Sequence, residues 1–161
     1  MVEQKDKYRP CVGIMLLNKQ GHVFVGKRFD SDFYWQMPQG GINDGEELEQ
    51  AALRELLEEV GTDKAEIVAK SKDWVYYNLP EKVIPTCWNG KYSGQKQRWF
   101  LMKFYGEDKD IDINYTDYPE FKEWCWQSVD GLVANVIPFK KEVYKTVVEQ
   151  LSSQIKASII K

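Results

Sequence analysis

Residues 40–61 read GGINDGEELEQAALRELLEEVG, and this stretch decides the fold. Its first six residues are rich in glycine and other turn formers, which predicts a flexible loop. Apolar residues then recur at helical spacing over 45–60, with Asp44 as the expected N-cap and Glu47 at position N3 of a capping box. Gly61 stands where a left-handed C-terminal cap belongs. The sequence therefore predicts a glycine-rich loop that leads into an amphipathic helix.

Strand-like segments lie on both sides of this helix. The predicted strands are 11–17, 23–28, 34–37, 65–69, 74–77, 98–105 and 123–127. A turn at 18–21 joins the first two into a hairpin. Residues 79–96 predict a long loop, and 139–160 predict a final helix. Strands around one strong helix, with a second helix at the end, predict an α/β (α+β) fold with a mixed sheet between helices, formed as one domain over 1–161.

Composition narrows the class of protein. The chain has 161 residues, of which 43% are apolar and 14% aromatic, so a folded core is expected. Its formal net charge is −3, so any contact with RNA must be local. Cys11, Cys87, Cys125 and the lone His22 offer neither a zinc motif nor a disulfide framework, which favours reduced cytosolic thiols. No apolar stretch is long enough to span a membrane and the start is polar, so a cytoplasmic location is expected.

Three acids share one side of the predicted helix. Glu58 and Glu59 follow Glu55 by three and four residues, so the three carboxylates are neighbours on the helix surface. Like charges at this spacing destabilise a helix. Two of them also occupy the last turn, where the helix dipole disfavours anions. A hard divalent cation, Mg2+ or Mn2+, would relieve both costs. The alternative is a solvated acidic face on which Arg54 and Glu58 form an ordinary ion pair.

The spacing of the fixed residues extends this pattern. Gly40, Glu46 and the run from Arg54 to Gly61 fit G-x5-E-x7-R-E-U-x-E-E-x-G-U, where U is a bulky aliphatic residue. This resembles the Nudix box, and only Thr62 departs from it. The resemblance implies a Nudix-type α/β/α sandwich and a hydrolase that cuts the phosphoanhydride bond of a nucleoside diphosphate linked to another group.

The resemblance also implies roles for individual residues. Glu55, Glu58 and Glu59 would be catalytic acids that bind Mg2+ or Mn2+, with the carbonyl of Gly40 as a further metal ligand. Glu120, within Tyr118-Pro119-Glu120-Phe121, matches a loop acid that adds to the metal site. Arg54 would orient a glutamate in the catalytic set. The remaining box residues Gly45, Gly61 and Glu46 would be structural.

Stretches outside the box point to a narrower group. Residues 8–13, 35–42, 94–100, 119–121 and 124–126 resemble the bacterial RNA pyrophosphohydrolases and the related dinucleoside polyphosphate hydrolases. By that resemblance, the residues that contact the base are Arg28 and Phe139, since an aromatic ring can stack and a guanidinium can add cation–π contacts. The candidate phosphate contacts are Arg9, Lys27, Lys96, Arg98 and Lys140.

Three functions remain open on the sequence. The first is removal of pyrophosphate from the 5′-triphosphate end of RNA, which would initiate mRNA decay. The second is hydrolysis of free dinucleoside polyphosphates of the diadenosine tetraphosphate kind. The third is a Nudix fold that binds nucleotides without catalysis, which the retained acids disfavour. The number of metal ions and the identity of the general base also remain open, and nothing in the sequence indicates a protein partner.

Overall fold

The computed structural model of the protein describes residues 7–82, 84–86 and 91–159. Its strands are β1 (Tyr8–Leu17), β2 (Val23–Arg28), β3 (Gln39–Gly41), β4 (Ala65–Lys70), β5 (Val75–Asn78), β6 (Gly94–Phe104) and β7 (Phe121–Gln127). Its helices are α1 (Leu48–Val60), α2 (Gly131–Asn135) and α3 (Lys141–Ile159). Short 3-10 turns lie at Ile84–Thr86, Asp108–Asp110 and Pro138–Lys140.

The sheet of the described residues is mixed, as predicted. Its order is β4-β6-β1-β2-β7, while β3 pairs with β1 and β5 pairs with β6. β1 and β6 run parallel from Tyr8↔Gly94 to Leu17↔Lys103, and the other strand pairs are antiparallel. The central strands are therefore β6, β1 and β2.

Both faces of β1 are covered, which explains its unbroken apolar run. Ile14 and Leu16 pack with Leu56 of α1 on one side of the sheet. Met15 and Leu17 belong to the core on the other side, which includes Val147, Leu151 and Ile155 of α3. Side chains of a strand alternate between its faces, so one strand serves both cores. The result is a sheet between helices, which confirms the predicted α/β sandwich.

The segment between β2 and α1 differs from the prediction. No strand forms at 34–37; Gln36 instead makes an isolated bridge to Gly26 of β2. The Pro38 carbonyl accepts from the N–H of Ile14, and β3 then pairs with β1. Since β1 and β2 pair only at Leu17↔Val23, this segment can bond to both strands. The glycines predicted as a flexible loop thus begin as a short strand.

The N-cap of helix α1 lies three residues later in the chain than predicted. Asp44 as N-cap is wrong: Glu47 is the N-cap, in extended conformation, and its N–H donates to Gln50 Oε1 at 3.0 Å. Asp44 and Gly45 form a turn instead, with Gly45 at φ 78°, and the carboxylate of Glu46 beyond it is engaged by Arg54 and by the N–H of Asn43. The C-terminal prediction is confirmed, since Gly61 has φ 77° and donates to the Leu57 carbonyl at 3.0 Å.

The remaining elements follow the predictions with shifted ends. β6 begins at Gly94, inside the segment predicted as loop, and the unpredicted helix α2 precedes α3. The last helix begins at Lys141, since Phe139 lies in the 3-10 turn; Ile160 and Cys87 lie outside the described residues. Cys11 and Cys125 are free thiols. Within these ranges no helix has the length and apolarity to cross a membrane. The assignment of 1–161 to one domain stays a prediction.

Candidate active site

One cavity of about 790 Å³ collects many of the predicted residues. It lies where the end of β2, the start of β1, β3, α1, β5 and the turn before α3 meet. Its lining comprises Arg9, Arg28, Asp30, Ser31, Asp32, Phe33, Tyr34, Gln36, Gln39, Gly40, Gly41, Glu55, Glu59, Tyr77, Leu79, Gln95, Glu120, Ile137, Phe139 and Lys140. The volume is in the range of small-molecule binding sites.

Two buried acids of α1 line this cavity. Glu55 and Glu59 are four residues apart, so they face the same way, and each is only 8% exposed. Their carboxyl groups are in hydrogen-bonding contact, and the backbone N–H of Gln39 also donates to Glu59. Burial, the neighbouring Glu55 and the charge of Glu120 together hold the pKa of Glu59 well above its usual range. Two carboxyl groups thus share a poorly solvated place, where a bound cation would stabilise the ionised form of both.

Gly40 lets the carboxyl group of Glu55 reach the backbone. A methyl group added at Gly40 would overlap that carboxyl, and one added at Gly41 would overlap the guanidinium of Arg9. Glycine at both positions therefore allows an acid from α1 and a base from β1 to approach the same short strand.

Arg54 is engaged entirely with the protein. Its Nε and Nη2 donate to the two carboxylate oxygens of Glu46 at 2.8 and 2.9 Å, and its Nη2 also donates to the Gly41 carbonyl at 2.9 Å. Its Nη1 donates to Glu55 at 2.9 Å and, less closely, to Glu58 at 3.4 Å. The bidentate contact with Arg54 lowers the pKa of Glu46 to about 2. Arg54 thus ties the glycine strand to the acid that it orients, as a positioning residue would.

The other two predicted acids are more open. The side chain of Glu58 is 45% exposed and does not line the cavity. It forms an ion pair with Arg54. Glu120 precedes β7, lines the cavity with its side chain 41% exposed, and accepts from Arg28 Nη1 at 2.8 Å. Glu55, Glu59 and Glu120 together are termed the acidic wall below.

The acidic wall fits a divalent metal ion in its donor chemistry. Within the described ranges no three His, Cys, Asp or Glu side chains already converge as a metal cluster. However, Oε1 of Glu59 is buried and has no hydrogen-bond partner in the described part of the chain. An orphaned carboxylate oxygen beside a second carboxylate is suited to a hard cation that completes its shell with water and substrate phosphate. Glu58, held by Arg54, would have to turn to join such a site.

Another side of the cavity carries aromatic rings and a buried cation. Phe139 is 36% exposed, and its ring centroid lies 5.9 Å from that of Tyr77 at an interplanar angle of 40°. Lys140 is 8% exposed, with Nζ 5.9 Å from the Tyr77 centroid. Burial, followed by repulsion from Arg28, lowers the pKa of Lys140 to about 8. Tyr77, Phe139 and Lys140 are termed the aromatic wall.

The structure does not bring all predicted cations to the cavity. Arg9, Arg28 and Lys140 line it. Lys27 instead pairs with Glu123 at 3.6 Å and lies over Trp35. Lys96 and Arg98 lie over the ring of Trp74 at 4.8 and 6.0 Å, and Arg98 donates to the Ser71 carbonyl. The three cations outside the lining are Lys27, Lys96 and Arg98.

Sequence reasoning missed the glutamines of the cavity. Gln97 donates to both Gln39 and Gln95, and accepts from the indole N–H of Trp99 at 2.9 Å. Gln39 and Gln95 line the cavity, and the N–H of Gln39 contacts Glu59. Segments 35–42 and 94–100, which contain these amides, carry the resemblance, but the residue types alone do not indicate which amides face the cavity.

Comparisons with known proteins identify the family. The sequence model of the NUDIX domain matches residues 7–147. The chain belongs to the NUDIX family. It is 86% identical over 161 residues, with both chains covered completely, to a protein of Wolbachia sp. subsp. Brugia malayi (strain TRS) named RNA pyrophosphohydrolase. A protein of the same name from Rickettsia rickettsii (strain Sheila Smith) is 53% identical over 149 residues, covering 92% of each chain.

Solved structures share the NUDIX fold at low identity. The dihydroneopterin triphosphate pyrophosphohydrolase of E. coli superposes with a TM-score of 0.67 at 18% identity, covering 88% of this chain and 98% of that one. An Ap4A hydrolase complex from C. elegans superposes with a TM-score of 0.65 at 16% identity, covering 90% and 98%. These two likenesses show the fold alone. Nudix hydrolases generally use divalent metal ions, which agrees with the donor chemistry of the acidic wall.

Proposed function

We propose that this NUDIX protein is an RNA 5′-pyrophosphohydrolase, which removes pyrophosphate from the 5′-triphosphate end of a transcript and so initiates its decay. One observation carries the proposal: a single cavity unites a buried carboxylate pair, Glu55 and Glu59, with the ring of Phe139 and the buried cation of Lys140. The near-complete likeness to proteins named RNA pyrophosphohydrolase supports it.

The acidic wall supplies the hydrolytic half of the site. Glu55 and Glu59, with Glu120 and Glu58, would hold Mg2+ or Mn2+, and the carbonyl of Gly40 is a further candidate ligand. When bound, the metal would neutralise charge on the phosphate oxygens that otherwise repel a nucleophile. Either Glu55 or Glu59 can accept the proton of the attacking water, because both carboxylates border the cavity. Arg54 keeps Glu55 in place and needs no contact with substrate.

The aromatic wall supplies the nucleotide half. The exposed face of Phe139 can stack on a base, and Tyr77 supports the ring from within the protein. Arg28 and Lys140 add positive charge near that ring, and Arg9 adds it beside the glycine strand. The proposed substrate contacts are therefore Phe139, Arg28, Lys140 and Arg9, with Tyr77 as a support for the Phe139 ring. Lys27, Lys96 and Arg98 are left out of the set because their contacts lie elsewhere.

We also propose that the protein acts in the cytoplasm, where free thiols such as those of Cys11 and Cys125 persist. Neither thiol belongs to the acidic wall.

Labelled RNA tests the proposed function directly. A short transcript carrying labels on its β- and γ-phosphates is incubated with the protein and Mg2+, and the products are separated. We expect labelled pyrophosphate and a 5′-monophosphate RNA. The same reaction is repeated with diadenosine tetraphosphate as competitor. Rapid cleavage of the dinucleotide with the RNA left intact would overturn the RNA proposal in favour of the dinucleoside polyphosphate alternative.

A further inference from the structure

A second aromatic pair lines the cavity, on the loop that follows β2. The side chain of Phe33 is 81% exposed although it borders the cavity, and Tyr34 beside it is 38% exposed. Their ring centroids lie 6.5 Å apart at 67°, an edge-to-face arrangement. An edge-to-face contact occupies at most one face of a ring, and since the Phe33 side chain is 81% exposed, a flat face of it stays open to a ligand.

Local bonds hold this loop in its exposed shape. Ser31 Oγ accepts from the N–H groups of Phe33 and Tyr34, at 3.3 and 3.0 Å. The Asp32 carboxylate pairs with Lys122 of β7 at 2.9 Å. The N–H of Trp35, just past the loop, donates to the Asn135 carbonyl at 2.9 Å. Phe33 is therefore presented by a bonded turn whose two ends are fixed to other elements.

With 81% of its side chain exposed, Phe33 packs little against the described part of the chain apart from the edge-to-face contact with Tyr34. Two uncovered aromatic faces in one cavity, at Phe33 and at Phe139, suit a ligand with more than one flat ring. Stacking on aromatic side chains tolerates any base, because every base has a π-face. The acidic wall lies in the same cavity, so the phosphates of such a ligand can reach the carboxylates.

We propose that Phe33 and Tyr34 form a second base platform, so that the cavity takes two nucleobases of one RNA end. The inference rests on the proposed function and adds to it a separate binding subsite for a second base of the RNA end. One base stacks on Phe139 and a neighbouring base on Phe33, with the triphosphate directed to the acidic wall.

Fluorescent RNA tests the platform. Triphosphorylated trinucleotides carry 2-aminopurine at the first, second or third position, and its fluorescence falls when the base stacks. Binding is followed with the Glu59→Gln protein and Mg2+, so that the RNA stays intact. We expect Phe33→Ala to abolish the quench at one position and to weaken binding about tenfold. Phe139→Ala should abolish the quench at a different position.

Phe29→Ala is the matched control. Phe29 is exposed (58%) and lies four residues before Phe33, but it does not line the cavity. It should bind every labelled RNA like the parent protein. Loss of quench equal in Phe29→Ala and Phe33→Ala, or unchanged quench in Phe33→Ala, would overturn the second platform.

Turnover separates this inference from the proposed function. In the active background, Phe33→Ala should raise KM for triphosphorylated RNA about tenfold and leave kcat unchanged, since stacking far from the phosphates binds ground state and transition state alike. KM for a single nucleoside triphosphate should not move. If wild-type protein cleaves RNA but the Phe33 variant matches it in KM, only the platform fails. If wild-type protein leaves RNA intact, the proposed function fails.

Discussion

The acidic wall and the aromatic wall share one cavity but are built differently. Glu55 and Glu59 project from a regular helix, are nearly buried and are held by Arg54 and the backbone of β3. Phe139 comes from a 3-10 turn and is 36% exposed. Bond cleavage needs reacting groups fixed to within fractions of an ångström, whereas stacking tolerates displacement. With the proposed roles, the groups for bond cleavage lie on rigid structure and the groups for base recognition lie at the ends of elements.

The largest expected effect tests the acidic wall itself. Glu59→Gln should lower kcat by about 10²–10⁴-fold, because the amide can neither hold a hard cation as well nor accept a proton. The measurement is steady-state hydrolysis of triphosphorylated RNA in Mg2+. Glu49→Gln is the control, since Glu49 lies on the same helix, pairs with Lys70 and does not line the cavity. Full activity of Glu59→Gln would show that the acidic wall is not the catalytic centre.

A change beside the acidic wall should come next in size. Gly40→Ala places a methyl group where the Glu55 carboxyl lies, so that carboxyl must move. We expect kcat to fall about 10²-fold, the size of effect that a displacement of about 1 Å produces in a catalytic group.

Gly131→Ala is the control, since a methyl group there meets nothing closer than 3.4 Å. Thermal unfolding should show that both variants are folded. An active Gly40→Ala protein would mean that Glu55 need not occupy its observed place.

The aromatic wall should respond in binding rather than in chemistry. Phe139→Ala should raise KM for RNA about tenfold with kcat within about twofold, since it removes one stacking face. Tyr105→Ala, which removes a ring that is 63% exposed and outside the cavity, should change neither constant. A fall in kcat with unchanged KM would show that Phe139 acts in bond cleavage rather than in substrate binding, and the proposed difference between the two walls would be wrong.

The smallest expected effect is a pH dependence from Lys140. Its pKa of about 8 means that its side chain is charged below that pH and neutral above it. Arg28 disfavours the charged form, while Glu59, Glu120 and Cys11 favour it. Phosphate binds the charged form, so kcat/KM should fall several-fold as pH rises through about 8.

Lys140→Arg provides the comparison, because a guanidinium stays charged over the whole range. Its kcat/KM should remain flat between about pH 7 and 9. An identical decline in both proteins would show that another group titrates.

The sign of the stability effect is also fixed by this pKa. The folded chain holds Lys140 with a pKa below its unfolded value, so folding favours the neutral amine. Its contribution to stability is fully present above the unfolded pKa and is lost as pH falls through about 8. Replacing Lys140 by Met should therefore raise the unfolding temperature at about pH 7 relative to wild type, and the gain should shrink at higher pH.

The sequence by itself determined helix α1, which carries the proposed catalytic acids. Its periodicity, its C-terminal glycine and the spacing of Glu55 and Glu59 are local properties, and a helix converts spacing into a shared face. Strand β1 could also be predicted, because a strand buried on both faces has a continuous run of apolar residues. These predictions needed no knowledge of which elements meet.

Only the tertiary structure decided which cations reach the cavity. Gln95 and Lys96 are neighbours on β6, so their side chains point to opposite faces, and the strand pairing selects the face that borders the cavity. The predicted start of α1 was wrong for a related reason. Arg54, which lies within α1, binds the side chain of Glu46, and the observed N-cap is Glu47 rather than Asp44. The exposure of Phe33 likewise depends on a loop bonded to β7 through Asp32. The alternation of side chains along a strand and their spacing along a helix can be read from the sequence. Which face of a strand or helix borders the cavity depends on long-range packing.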